Sequence, residues 1–110
     1  MLIRFTGDAT TYSDLTPGQP YVVIGVEADD FRVLNDQGKP FLYPAQSFEI
    51  VDPREPDDWV SETGDDGERY AYPAPLNEAG FFEDFFDAKS AAVKTFWRAV
   101  NQRLASASAA

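Results

Sequence analysis

Residues 20–44, PYVVIGVEADDFRVLNDQGKPFLYP, restrict the fold more than any other stretch of this chain. Tyr21, Val22, Val23, Ile24 and Val26 form a β-branched and aromatic run that predicts a strand over 20–28. Asp29 and Asp30 make a tight connection into a second strand, in which Phe31, Val33 and Asn35 alternate with Arg32 and Leu34. NDQG predicts the next turn. Asn35 and Asp36 favour turn initiation, and Gly38 can take the left-handed conformation that a bulged hairpin needs. KPFLY returns as a third strand, with Pro40 tolerated near its start or on an edge.

Two further strands flank this core. MLIRF sets Ile3 and Phe5 in one phase and Leu2 in the other, and FEIV at 48–51 follows PAQS, which is long enough for one helical turn only. TGDATTYSDLTPGQ is a long loop by its Gly, Pro, Asp and Thr punctuation, and DPREPDD ends the set with two prolines. Five short strands, an early long loop and a one-turn helix before the last strand are the layout of an SH3-like barrel. The stretch from Leu15 to Val51 also resembles a loosely defined group of small bacterial proteins, mostly of unknown function, built on such a barrel. The resemblance rests on Leu15, Gly18, Tyr21 and Val23, on the NDQG hairpin, and on Tyr43, Pro44, Phe48, Glu49 and Ile50. It implies a barrel over 1–52 and no catalytic residues, because barrels of this kind host unrelated activities.

The second half reads as an extension, 53–110, packed on the barrel to give one compact α+β domain. WVSETGDDGERYAYP is a hairpin: Trp59 to Glu62, a turn through Gly64 to Gly67, then Glu68 to Tyr72. PAPLNEAG is a connector, followed by GFFEDFFD. At about 100° per residue, Phe81, Phe82, Phe85 and Phe86 share one continuous arc, while Glu83, Asp84 and Asp87 share another. A strand would mix the two kinds on each face, so this segment is a short helix with an aromatic core side and an acidic ridge. Asp87 or Ser90 can cap a terminal helix whose apolar stripe is Val93, Phe96, Trp97, Val100 and Leu104, centred on Trp97. Its positive charges suit the helix C-terminus, and ASASAA after it is expected to fray.

The chain has no cysteine and no histidine. This excludes disulfides, thiolate metal sites and the Ser-His and Cys-His forms of nucleophilic catalysis. With no phosphate-cradling glycine loop either, an enzyme is disfavoured and no cofactor is expected. The start shows no apolar h-region and no window is long and apolar enough for a membrane span, so a cytoplasmic location is expected.

The net charge of −10 is unevenly distributed. Residues 53–87 hold eleven acids against Arg54 and Arg69, whereas 88–110 hold four bases and no acid. Such a field repels nucleic acid and attracts cationic partners. The reading is therefore a non-enzymatic, acidic protein-binding module resembling, in size and charge, the immunity proteins that neutralise a toxin made by the same bacterium. Its expected contact set for a basic protein partner is Asp57, Asp58, Asp65, Asp66 and Glu68, with the Glu83, Asp84 and Asp87 ridge. The alternative is a barrel that binds a peptide or small ligand through exposed Tyr12, Tyr43, Tyr70 and Tyr72. An all-oxygen cation site at Glu83, Asp84 and Asp87 is the minor alternative, since nothing matches EF-hand spacing. Neither nucleic acid nor a membrane is an expected partner.

Overall fold

A computed structural model describes residues 1–109, with side chains through Ala105. The chain divides into two compact units, Met1–Tyr72 and Pro73–Ala110.

The first unit is a mostly antiparallel sheet of seven strands: β1 (Leu2–Phe5), β2 (Pro20–Glu27), β3 (Asp30–Leu34), β4 (Pro40–Pro44), β5 (Phe48–Asp52), β6 (Trp59–Thr63) and β7 (Arg69–Pro73). Its main path runs β4-β3-β2-β1-β5, and β7 joins both β2 and β6. Strand β2 is long enough to serve two ladders. Its first half pairs β1 (Ile3 opposite Tyr21), its second half pairs β3 (Val26 opposite Phe31), and the register shifts between Val23 and Gly25. The expectation of a closed five-stranded barrel is corrected here. No ladder joins β4 to β5 at the two ends of the path, so the sheet stays open.

Local chemistry explains the connections. In NDQG, the Gly38 N–H donates to the Asn35 carbonyl, with Gly38 at φ 72, as a bulged hairpin requires. The Asn35 side-chain oxygen accepts the N–H groups of Gln37 and Lys39, which closes the same turn from the other side. A single 3₁₀ turn, Ala45–Ser47, precedes β5. The 59–72 hairpin enters the first unit's sheet through β7, with Ala71 opposite Val26 and Tyr70 opposite Glu27. A Cβ on Gly25 would overlap the Tyr72 ring and crowd the Ala71 carbonyl, so glycine lets β7 lie this close to β2. The core comprises Ile3, Phe5, Leu15, Tyr21, Val23, Val26, Phe31, Val33, Tyr43, Phe48 and Ala71, with Tyr12 and Trp59 packed against it.

The second unit begins with a 3₁₀ turn, Ala74–Leu76, where only a connector was expected. Two helices follow, α1 (Phe81–Phe86) and α2 (Ser90–Ala109). Phe96 of α2 is fully buried, with Phe85 at 4.7 Å and Phe82 at 6.3 Å between ring centroids. Trp97, expected at the centre of the buried stripe, is 36% exposed, and Leu104 is exposed too. The stripe is therefore fully covered at Phe96 and Val100, half-covered at Val93 and open towards Trp97 and Leu104. The aromatic arc of α1 has the same asymmetry: Phe81 is buried, Phe82 and Phe85 are half-buried, and Phe86 is exposed.

Helix ends also differ from expectation. Asp87 is the C-cap of α1, and Ser90 is the first residue of α2, whose opening carbonyl is that of Lys89, accepting from the Val93 N–H. The backbone of α2 is helical through Ala109, so no basic residue lies in the last turn. Ala110 lies outside the described residues. Among the described residues, no helix is long and apolar enough to cross a membrane.

Candidate functional site

Acidic side chains are common on protein surfaces, so the informative question is which of them lack compensation. Between 53 and 87 the two basic residues are both committed. The Arg54 guanidinium donates to the Asp52 carboxylate from Nε and a terminal nitrogen, 2.6 Å at closest, and holds that carboxyl below its usual range. Arg69, on β7, forms a two-pronged pair with Glu55 at 2.5 and 2.6 Å, and this hydrogen bonding likewise lowers the Glu55 pKa. A terminal nitrogen of Arg69 also donates to Ser61 Oγ on β6 at 2.9 Å, tying the 53–58 segment to the hairpin.

What remains is acidic and open. Asp57 and Asp58 are exposed just before β6, and Asp65 and Asp66 are exposed in the turn after it. Glu68 is half-buried and does a different job: its carboxylate accepts the Asp66 N–H at 3.0 Å and shapes the turn. From Asp57 to Glu68 there are six acids and no base.

The ridge at Glu83, Asp84 and Asp87 belongs to the second unit, and the other five carboxylates belong to the first. Glu83 and Asp87 are exposed, whereas Asp84 is paired with Lys89 Nζ at 3.0 Å. Among the described residues, no group of three or more acids is placed to hold a metal ion. The units also differ in overall charge. Met1–Tyr72 holds fifteen acids against five bases, and Pro73–Ala110 holds four of each.

Two of the four tyrosines expected to be exposed are buried. Tyr43 is 3% and Tyr72 6% exposed. The Tyr43 hydroxyl donates to Asp14 at 2.8 Å and accepts from Asn35 at 3.0 Å. The Tyr72 hydroxyl donates to Glu27 at 2.5 Å and accepts from Arg32 Nε at 2.8 Å. Desolvation, the largest cause, and the neighbouring carboxylate push both phenols well above their ordinary pKa, while Asn35 and Arg32 act in the opposite sense. Tyr12 and Tyr70 are half-buried, Tyr12 with its ring edge-on to Tyr43 at 5.4 Å.

Arg32 was not singled out by its sequence position. Its strand phase opposes Phe31 and Val33, yet it is 8% exposed and bonds Glu27 (2.6 Å), the Pro40 carbonyl (2.9 Å) and Tyr72. Nothing local in FRVLN signals this, because the covering strand, β7, arrives from residues far along the chain. No model of a known protein family matches this chain, and no curated protein or solved structure does either.

Proposed function

We propose that this protein is a non-enzymatic binding module that captures a basic protein through its first unit, as an immunity-type inhibitor captures a basic bacterial toxin in the cytoplasm. The open strand order β5-β1-β2-β3-β4, with a register shift in the β2–β3 ladder at Val23–Gly25, supports reading Met1–Asp52 as an SH3-like arrangement that carries this surface. One observation carries the functional reading: the net charge of −10 resides in Met1–Tyr72, and both bases of 53–72 are held in ion pairs. Asp57, Asp58, Asp65 and Asp66 are left as an exposed, uncompensated acidic segment. Such charges act chiefly on association rate, and they repel phosphate backbones.

The test is binding kinetics at low and high salt against the protein recovered with it by affinity capture from its own host. Changing Asp57, Asp58, Asp65 and Asp66 together to lysine should slow association by about tenfold or more at low salt and flatten the salt dependence. Changing Glu83, Asp84 and Asp87 to lysine should do less, because their unit is neutral and Asp84 already has a partner. Unchanged rates for the first variant would reduce the segment to a solvated face.

A further inference from the structure

We infer that the outer edge of β6 is a docking edge for an extended, lysine- or arginine-rich segment of the partner, which adds to the sheet as a further strand. The inference rests on the reading of 57–68 as a surface for a basic protein, and it states how that surface is used. Strand β6 pairs with β7 on one side, and among the described residues no strand pairs its other side. It is the most open strand of the sheet: Val60, Ser61, Glu62 and Thr63 are all exposed.

Its outward backbone groups can be assigned. The Gly64 N–H turns inward to the Glu68 carbonyl at 2.8 Å, so strand alternation directs the N–H groups of Thr63 and Ser61 outward. An edge of this kind is a template for another chain, and proteins usually blunt it with proline, a bulge or charge. Here charge is the device, and it is of one sign: Asp57 and Asp58 at one end, Asp65 and Asp66 at the other. A second copy of this acidic chain is repelled, and a basic strand is drawn in. Strands β4 and β5 are also edges, but Lys39 immediately precedes β4, and the acid that ends β5, Asp52, is paired with Arg54. Backbone bonds from β6 would supply affinity, and alternate side chains of the incoming strand would supply specificity.

The probes are two synthetic peptides alternating lysine with valine, of equal charge, one of them N-methylated on the residues that would face β6. Each is titrated into the full-length protein while amide exchange is followed by NMR. The unmodified peptide should bind more weakly as salt rises and slow exchange at Ser61 and Thr63. The N-methylated peptide should bind about tenfold or more weakly, for the loss of two or so hydrogen bonds. Ser61→Pro should weaken the unmodified peptide to a similar degree, whereas Ser61→Ala, which loses only the hydroxyl that meets Arg69, should not. If Ser61→Pro fails to fold, the peptide pair still decides. Equal binding of the two peptides would overturn edge addition while leaving the acidic surface standing, since charge alone would then hold them. Binding by neither peptide, or protection falling on β5 instead, would also overturn it; the charge-reversal kinetics judge the wider reading separately.

Discussion

Arg32 shows how much one buried charge organises around itself. Its guanidinium reaches a carboxylate, a carbonyl and a phenol, and so links β2, β3, β4 and β7. Removing one partner from such a set leaves the others desolvated without compensation. Arg32→Ala is therefore expected to cost roughly 3–5 kcal/mol in urea unfolding. Tyr72→Phe, which deletes one hydroxyl from the set, should cost about 1–3 kcal/mol. The phenols also set a pH limit. Because the folded-state pKa values of Tyr43 and Tyr72 lie above the ordinary value of 10.0, the folded state holds these protons longer than the unfolded chain does. Their contribution is complete below that value and is lost as the pH rises from it towards the raised ones. Unfolding midpoints should fall steeply above pH 10, and Tyr43→Phe should flatten that fall. An unaltered alkaline slope in the variant would exclude Tyr43 as its source.

Helix ends and glycine positions govern the elements. Helix α1 closes in a Schellman arrangement, with Ala88 N–H on the Phe85 carbonyl and Lys89 N–H on that of Asp84. The left-handed position falls to Ala88, at φ 59, where a Cβ is unfavourable. Ala88→Gly should raise stability by about 0.5–1 kcal/mol, the relief of strain exceeding the added freedom of the unfolded chain; a lower thermal midpoint would contradict this. In α2 the ranking of the two adjacent aromatics inverts what the stripe predicts. Phe96→Ala should cost roughly 3–5 kcal/mol, and Trp97→Ala about 1 kcal/mol, since the indole is open to water on one side. Denaturation of the two variants side by side decides the order.

Across the whole molecule, the excess of acids in Met1–Tyr72 makes self-repulsion a stability term. Raising ionic strength from about 0.01 to 0.15 M shortens the screening length from about 30 to 8 Å. The urea midpoint should therefore rise with added sodium chloride; a fall would mean that the Glu55–Arg69 and Asp52–Arg54 pairs outweigh the repulsion. At this scale the division between local and distant information is plain. Alternation in MLIRF and FRVLN, the turn at NDQG, the hairpin at 59–72 and the two helical arcs are written in neighbouring residues, and each element forms where those residues place it. Charge is equally local, so the acidic segment at 57–68 was legible as a list of side chains. Other features depended on surfaces that meet only after folding. The arrival of β7 against β2 buries Arg32 and Tyr72, and the absence of a β4–β5 ladder leaves the sheet open. Salt bridges to Arg54 and Arg69 select which carboxylates stay uncompensated, and packing centred on Phe96 leaves Trp97 partly exposed. A periodic pattern states which residues share a face, because that follows from backbone geometry; how much of the face is covered follows from the shape of whatever packs against it.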